Sequence, residues 1–464
     1  MTAVAMTPAD AKAPFVAAPS LTFVRTLAFS ATGLPIAALI LAMSIHLPAY
    51  FATNLGVPLV VVGAVFAICR FIDIPVEPLL GLAMDRTRSR WGRYRVWMLI
   101  GAPVLMLGLY MLMSAQPGIG RGYLIVWLLV MYFGMSSLIL SHAAWASTLA
   151  KSYDDRARIY GLMAAVAVLG SLGVLIVPMV VGRLGYSEAA GVRAMIWYII
   201  VLTPLCVGTV ALLTPEIIAP EPPGQKFRLR DYLELITHPS MSRILLADLC
   251  LSLGPGWMTA LFLFFYRDRM HFTTTDANLL LMLNVVIGLF GAPSMTWLAT
   301  KIGKHRTAQL ATLIYSLGLA TIPFQPIGEV LWAVPVSIVC GFVLSGFGAL
   351  IRAMVADVAD EIRLSQGRER GGLLFSLTTS TGKIAAAAST AITFPLLAGL
   401  GYDPKLGHAN SPEALQGLTV AFLAGPIVFM ALGAACFVGY RLTAERASEI
   451  RRLLDARDSK LANI

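Results

Sequence analysis

The sequence predicts an all-α membrane protein whose twelve transmembrane helices form two pseudo-symmetric six-helix halves. Of its 464 residues, 58% are hydrophobic and only 13% are charged, and the mean hydropathy is +0.77. Soluble domains typically carry about 25% charged residues, so a chain this poor in charge would expose large apolar patches in water. Apolar runs long enough to cross a bilayer recur along the whole chain, and one polar linker separates the first six from the last six.

Each apolar run has roughly 18 to 27 residues, the length that a transmembrane helix needs. The runs lie near 28–50, 58–84, 95–114, 122–149, 159–182, 194–214, 241–266, 277–299, 307–324, 331–354, 372–398 and 416–440. The linker after the sixth run, PEIIAPEPPGQKFRLRDYLELITHPS, is rich in proline and then in charge. The expected domains are a disordered cytoplasmic tail at 1–24, an N-terminal half at 25–214, a cytoplasmic linker at 215–240, a C-terminal half at 241–440 and a cytoplasmic tail helix at 441–464.

A faint internal repeat supports two related halves. The segment 84–93 follows the second run and the segment 299–306 follows the eighth, and each is a short basic loop that contains glycine. Thr300 in the second copy stands where the first has Asp85. Short basic loops at the same place in each half are expected of a membrane protein built from two structural repeats.

The basic residues of the linkers alternate between a rich set and a poor set. The rich set is Arg86, Arg88, Arg90, Arg93, Arg95, Lys151, Arg156, Arg158, Lys226, Arg228, Arg230, Arg243, Lys301, Lys304, Arg306, Arg363, Arg368 and Arg370. The poor set is Arg121, Arg183, Arg193, Arg267, Arg269 and Lys405. Because cytoplasmic loops carry the excess of Lys and Arg, we expect both termini in the cytoplasm and a multi-pass protein of a bacterial-type inner membrane. The net charge of +10 then reflects topology, and no nucleic-acid partner is expected.

Three ionisable groups interrupt the second apolar run. Arg70, Asp73 and Glu77 are spaced i, i+3, i+7, so a helix presents them on one face. A lone charge at this depth costs at least about 2.5–3.5 kcal/mol. Pro75 and Pro78 each leave a backbone carbonyl without its helical donor, and carboxylates beside free carbonyls are oxygen ligands suited to a small cation. The pattern favours a site for Na⁺ or a proton at Asp73 and Glu77, the alternative being a structural ion pair between Arg70 and Asp73.

A counter-charge, Lys383, lies in the middle of the eleventh run among hydroxyl residues, in FSLTTSTGKIAAAA. It is too deep to reach the membrane surface. Arg70 and Lys383 together balance Asp73 and Glu77, so a bound cation would leave one excess positive charge. That charge would suit an anionic substrate.

At these residues the sequence resembles the glycoside–pentoside–hexuronide:cation symporter family, the melibiose-permease branch of the major facilitator superfamily. The resemblance covers nearly all twelve runs and is most specific in two blocks. The first block comprises Arg70, Asp73, Glu77, Pro78, Gly81, Asp85, Thr87, Ser89, Trp91, Gly92, Arg93 and Arg95. The second comprises Met354, Val355, Ala356, Asp357, Val358, Ala359, Asp360, Glu361, Gly367, Arg368, Gly372, Phe375 and Lys383.

The resemblance implies a major facilitator fold, a coupling-cation site at Asp73 and Glu77, and a Lys383 that couples this site to substrate. It also implies that Trp145 packs against a sugar; from the residues alone, Trp145 is equally an ordinary packing aromatic. The sugar-binding acids of melibiose permease fall at Pro35 and Ser141, so a galactoside is not the expected cargo, and another sugar, a uronide or an amphipathic anion is left open.

The resemblance departs from the family pattern at the cation site as well. Glu77 stands where melibiose permease has Asp. The threonine that ligates the cation there falls near Leu138, with Ser136 and Ser137 beside it. A carboxylate in a desolvated site has a raised pKa. The coupling ion is therefore expected to be either Na⁺ or H⁺.

Further polar residues are candidates for the cavity and its gates. His142 and Ser141 lie close to Trp145 and would reach substrate, or His142 would make an interhelical hydrogen bond. Arg352 would pair with Asp357 or reach an anionic substrate. The clusters around Asp85 and Arg93, and around Asp357, Asp360 and Arg368, would lock the cytoplasmic side through ion pairs.

The expected function is therefore a cation-coupled symporter of a sugar, glycoside or uronide that works by alternating access. A lysolipid or other amphipathic-anion transporter of the same superfamily is the alternative. The chain carries no HExxH or GxSxG motif, so we expect no enzymatic activity. We expect no cofactor beyond the coupling ion, with substrate, cation and membrane lipid as partners of a functional monomer.

Overall fold

The computed structural model describes residues 22–87, 89–149, 153–216, 234–366 and 371–462. Within these ranges, twelve helices are long and apolar enough to cross a membrane. The helices of the N-terminal half are α1 Phe23–Thr53, α2 Leu59–Arg86, α3 Tyr94–Met113, α4 Arg121–Leu149, α5 Tyr153–Arg183 and α6 Glu188–Leu213. Those of the C-terminal half are α7 Pro239–Phe264, α8 Thr274–Ile302, α9 Lys304–Ala320, α10 Val330–Gln366, α11 Gly371–Gly399 and α12 Pro412–Cys436. A polar helix, α13 Ala444–Ala462, follows.

The predicted all-α fold of twelve spans is confirmed, and the apolar runs predict most helix ends to within a few residues. The main error is in α10, which continues to Gln366 although its apolar run ends near residue 354. The end of the apolar run marks where the chain leaves the bilayer. The helix itself continues beyond that point as an amphipathic extension, which contains Asp357, Asp360 and Glu361. Helix α13 packs on this extension, where Arg457 Nη1 donates to the Arg363 carbonyl at 3.1 Å.

Two helices contain π-helical turns where the halves meet. One is Ala42–His46 within α1, and the other is Phe265–Arg269 at the end of α7. A π turn widens the helix and changes the direction of the side chains that follow it, and such turns are frequent at functional sites. Both halves therefore have irregular backbone at their interface.

The two halves contact each other through α2 with α11 and through α5 with α8, and they also share polar contacts at one face of the molecule. The C-terminal ends of α2 and α8 lie at the same face of the molecule. We call it the basic face, after Arg86, Arg93, Lys301 and Lys304. At the opposite face, His46 of α1 hydrogen-bonds Asn278 of α8 at 2.9 Å. Arg267 lies 3.7 Å from Glu188 of α6.

The basic face carries its own hydrogen bonds and ion pairs. Glu216 accepts hydrogen bonds from the backbone of Arg93 and Tyr94 at 2.6 Å each. In the other half, Lys304 Nζ lies 2.6 Å from Asp357. The cross-half contacts of His46 with Asn278 and of Arg267 with Glu188 thus hold the two halves together at the opposite face.

Candidate functional site

The centre of the molecule holds a four-charge cluster that spans both halves. Helix α2 contributes Arg70, Asp73 and Glu77, and α11 contributes Lys383. The Lys383 ammonium lies 3.4 Å from Asp73 Oδ2 and also contacts Glu77 Oε1. Arg70 Nη1 lies 3.9 Å from Asp73. The sequence-predicted residues Arg70, Asp73, Glu77 and Lys383 are therefore brought together by the fold.

Helix α4 completes the cluster with a hydroxyl group and a ring. The Ser136 hydroxyl donates to Asp73 Oδ1 at 2.8 Å and lies 3.3 Å from Glu77 Oε1. The Arg70 guanidinium stacks 4.6 Å above the Tyr132 ring. Only 3% of the Asp73 surface is exposed, so this carboxylate relies on these partners for the stabilisation that water would give.

The arrangement offers a small cation a set of oxygen ligands. Two carboxylates and the Ser136 oxygen converge on the region now filled by the Lys383 ammonium. Hard cations prefer such oxygen ligands. Because Lys383 belongs to the other half, any cation that replaces its ammonium changes an ion pair that holds the two halves together.

A polar pocket of about 170 Å³ adjoins the cluster on the side of the opposite face. It is lined in part by Ser44, Arg70, Tyr132, Thr259, Ser389 and Thr390. Ser44 belongs to the π turn of α1, so the local irregularity of the backbone helps to form the pocket wall. The pocket thus takes side chains from both halves and shares Arg70 with the charge cluster.

An apolar crevice of about 470 Å³ lies between α1 and α5 of one half and α7, α8 and α10 of the other. Its lining includes Leu41, Ile45, Met258, Phe262, Leu281 and Val285. Thr259 lines the crevice and the polar pocket alike. The two cavities are therefore neighbours that meet at α7.

The family of this twelve-helix protein follows from a comparison of its sequence with known protein families. The sequence profile of the MFS/sugar transport protein family matches residues 28–444. The chain belongs to this family. Its members are transporters of the major facilitator superfamily and not enzymes, and the resemblance to glycoside–pentoside–hexuronide:cation symporters is confirmed.

Curated relatives of the family are distant but span nearly the whole chain. The isoprimeverose transporter of Lactiplantibacillus pentosus is 22% identical over 86% of this chain and 85% of its own. The glucuronide carrier protein homolog of Escherichia coli K12 is 23% identical over 89% and 91%. A sodium-dependent lysophosphatidylcholine symporter of Danio rerio is 22% identical over 82% and 80%. The solved nucleoside transporter NupG has the same fold, with a TM-score of 0.69 at 12% identity over 89% of this chain and 99% of that one.

Three residues predicted to bind substrate, Trp145, His142 and Ser141, lie elsewhere. Trp145 is fully buried, and its Nε1 donates to the Pro215 carbonyl at 3.4 Å. His142 Nε2 is 2.9 Å from the Phe29 carbonyl, and Ser141 donates to the Ser137 carbonyl at 2.5 Å. Trp145 lies one turn from the end of α4 at the basic face, so none of the three is placed at the polar pocket in this conformation.

Arg352 does not pair with Asp357, because the i, i+5 spacing turns the two side chains to different sides of α10. Asp357 binds Lys304 instead. Arg352 is exposed and lies within electrostatic range of Asp248 on α7. Asp248 also accepts a hydrogen bond from Thr381, two residues before Lys383 on α11. The C-terminal half thus has a second polar cluster, made of Asp248, Thr381 and Arg352.

The structure describes partners for two more of the predicted gate residues. Arg93 donates to the Met84 carbonyl at 3.0 Å, and Asp360 lies 3.8 Å from Arg451 of α13. The Asp85 side chain and Arg368 lie outside the described part of the chain. The gating role of Asp85, Arg93, Asp357, Asp360 and Arg368 stays a prediction.

A gate that the sequence did not predict closes the opposite face. Arg267 pairs with its neighbour Asp268 at 2.6 Å as well as with Glu188 of the other half. Tyr402, between α11 and α12, donates to Asp268. Burial and the adjacent Asp268 carboxylate raise the pKa of the Tyr402 phenol, so the phenol keeps the proton that this hydrogen bond needs. No motif signalled these pairs, because their partners are far apart in sequence.

Proposed function

We propose that the protein is a cation-coupled symporter that carries a sugar or glycoside across the membrane by alternating access. The observation that supports this most strongly is the cluster of Asp73, Glu77 and Lys383, because it joins the two halves at mid-membrane. Membership of the family, and the sugar and glucuronide carriers among its relatives, support the class of cargo.

The cluster supports a simple coupling mechanism. A cation that binds Asp73 and Glu77 competes with the Lys383 ammonium for the same oxygens. Once displaced, Lys383 carries an uncompensated charge that a bound substrate can satisfy, so cation and substrate favour each other's binding. The loaded halves then rock about the central site, breaking the contacts at the opposite face and forming new ones at the basic face.

Either Na⁺ or H⁺ is the proposed coupling ion. Ser136 supplies the hydroxyl oxygen that the sequence alone left unassigned near Leu138, and this favours a metal cation. A proton is the alternative, because Asp73 and Glu77 are both carboxylates and either can carry one. Uptake driven by a Na⁺ gradient at constant pH, compared with uptake driven by a pH gradient without Na⁺, distinguishes the two.

The chain is an integral multi-pass membrane protein, and its orientation is part of the proposal. The excess of Lys and Arg supports a cytoplasmic basic face, with α13 on the cytoplasmic side and both termini in the cytoplasm of a cell with a bacterial-type inner membrane. In that orientation the described conformation is closed to the outside. The halves at 25–214 and 241–440, with the linker at 215–240, would be the moving units of a functional monomer.

A lysolipid cargo is the second candidate function. Two observations favour it: the lysophosphatidylcholine symporter among the relatives and the apolar crevice between α5 and α8, which could accept an acyl chain. The hydroxyl-lined pocket beside Arg70 favours a sugar. Uptake of radiolabelled lysophosphatidylcholine and of glycosides into the same vesicles separates the candidates.

Uptake into energised vesicles tests the main proposal. Asp73→Asn and Glu77→Gln should each abolish cation-driven accumulation of a transported glycoside while the protein remains inserted, because a neutral amide cannot hold the cation. Glu329→Gln is the matched control, since this exposed carboxylate precedes α10 at the opposite face, far from the cluster. Full accumulation by both cluster variants would refute the assignment.

A further inference from the structure

We propose that the opposite face carries a site for a transition-metal ion such as Zn²⁺, held by the imidazoles of His271 and His408, and that the bound ion stabilises the closed form of this face. The two residues lie in different loops. His271 follows α7, and His408 lies in the short turn Gly407–Ala409 between α11 and α12. Neither belongs to the central cluster, so this inference goes beyond the proposed transport function.

The two imidazole rings lie close enough to share one ion. Their centroids are 5.7 Å apart, and the ring planes are inclined by 49°. Two imidazoles on one tetrahedral Zn²⁺, with Zn–N distances of about 2.0–2.1 Å, have centroids roughly 5 Å apart. Both side chains are exposed, so a small rotation about their torsions brings a nitrogen of each ring onto a shared ion.

The ligand chemistry of the pair selects the class of ion. Imidazole nitrogen suits Zn²⁺, Cu²⁺ and Ni²⁺, whereas Mg²⁺ and Ca²⁺ prefer oxygen ligands. Among the residues that the structure describes, no third His, Cys, Asp or Glu completes a metal-binding group, so water would fill the remaining positions. Structural zinc sites are closed by four protein ligands. A site with two of them binds its ion reversibly, as a regulatory ion requires.

The backbone holds both histidines in defined turns. His271 has a φ of 59°, a left-handed conformation that is uncommon outside glycine and that clusters at functional sites. A third loop supports it, because the Gly328 backbone N–H donates to the Met270 carbonyl at 2.9 Å. In the other loop, the Asn410 side chain donates to the Gly407 carbonyl at 2.7 Å. Because both turns are positioned in advance, less conformational entropy is lost when an ion binds.

The histidine pair lies beside the ion pair that closes the opposite face. His271 comes just after the π turn Phe265–Arg269, and the turn that contains His408 packs on this π turn. Within the π turn, Arg267 lies 3.7 Å from Glu188 of the other half. A metal ion between the two histidines therefore ties a second loop to the segment that holds Arg267 in place. The ion should for this reason favour the closed form.

The first test measures Zn²⁺ binding to the purified, tag-free, full-length protein by competition with a fluorescent chelator. The wild-type protein should bind a single Zn²⁺ that excess Mg²⁺ does not displace. His271→Asn and His408→Asn should each raise the dissociation constant by at least about 100-fold, because the second ligand of a chelating pair acts within the same molecule. Asparagine also tolerates the left-handed backbone at position 271, so the turn is retained.

A matched control comes from the histidines of the basic face. The double variant His238→Asn and His305→Asn also lacks two imidazoles, but these lie at the starts of α7 and α9. Its affinity for Zn²⁺ should equal that of the wild-type protein.

The second test asks whether the ion closes the face. A reporter Ser44→Cys in the polar pocket should react several-fold more slowly with a membrane-impermeant maleimide, added at the opposite face, in Zn²⁺ than in Mg²⁺. The reporter combined with His408→Asn should react at the same rate in both ions, which excludes direct protection of the thiol by Zn²⁺.

Two results would overturn the inference. The first is an affinity for Zn²⁺ that is the same in the wild-type protein, His271→Asn and His408→Asn. The second is tight binding that leaves the labelling rate of the reporter unchanged. Either result would leave the proposed cation-coupled transport intact, because neither histidine contributes to the central cluster.

Discussion

Asp73 is the most deeply buried of the acids that the cluster brings together. An isolated carboxylate at this depth is costly, and the structure surrounds it with Lys383, Arg70 and Ser136. Such pairing makes the charge tolerable but adds little net stability, because desolvation offsets the attraction. The cluster is therefore better explained by function than by folding, since an apolar set would pack as well.

Ser136 carries the first prediction at this scale. Ser136→Ala removes the hydroxyl oxygen that would ligate the cation beside Asp73 and Glu77, so the apparent affinity for the coupling cation should fall by about tenfold, the size of one polar contact to a charged group. Glycoside uptake measured against cation concentration provides the value.

Ser137→Ala is the matched control for Ser136, because the Ser137 hydroxyl donates to the Phe133 carbonyl of its own helix at 2.8 Å. Its cation dependence should equal that of the wild-type protein. Identical cation dependence in the two variants would exclude Ser136 from the site.

The sequence predicted the charged residues of the cluster but not all of its members. Arg70, Asp73, Glu77 and Lys383 are conspicuous because ionisable groups are rare in apolar runs. Ser136 was one of two adjacent serines, and only the rotation of α4 decides between them. That rotation depends on packing against other helices, which one sequence does not encode as a local pattern.

At the scale of single elements, the lengths of the apolar runs predicted where most helices begin and end. They did not predict the irregular turns within those helices. The runs located α2 and α11 well, because bilayer thickness fixes the length of an apolar helix. The π turn at Ala42–His46 has no comparable sequence signal, although it directs Ser44 and Ile45 into different cavities. The separation of the polar pocket from the apolar crevice was for this reason unpredictable.

The close packing of α3 on α4 gives a testable prediction at the scale of single helices. A Cβ atom on Gly134 would lie 2.4 Å from the Leu105 backbone nitrogen, and backbone cannot move aside as a flexible side chain can. Membrane helices use small residues at such approaches. Gly134→Ala should therefore lower the free energy of unfolding by about 1–3 kcal/mol, seen as a lower Tm in detergent.

Gly122→Ala, in the first turn of the same helix, is the matched control for Gly134→Ala. A Cβ atom there would meet nothing within 4 Å, so its Tm should not fall. A Tm for Gly134→Ala equal to that of Gly122→Ala would show that α3 and α4 are not in contact at this point.

The whole molecule is two halves joined at the centre and at the opposite face. Composition and the repeated basic loop predicted the two halves, but no local pattern showed which face is closed. The bond between His46 and Asn278 joins residues 232 positions apart. Such contacts belong to one conformation among those a transporter visits, so a sequence that must encode all of them does not single one out.

The lock at the opposite face gives a prediction at this scale. His46→Ala combined with Glu188→Ala removes two cross-half contacts, so the population should shift toward a form open at the opposite face. A reporter Ser44→Cys in the polar pocket should then react several-fold faster with a membrane-impermeant maleimide added at that face.

Glu413→Ala, an exposed acid at the start of α12 on the same face, should leave the labelling rate of the reporter unchanged. Equal rates in the double variant and in this control would mean that His46 and Glu188 do not hold the face closed.

The most direct measurement compares exchange with accumulation in one set of proteoliposomes that contain the Asp73→Asn variant. If Asp73 couples cation to substrate, the variant should lose accumulation driven by an imposed cation gradient and keep glycoside exchange between equal concentrations on the two sides. Cation-driven accumulation at the wild-type level, in a variant that lacks this carboxylate, would contradict the proposed coupling site.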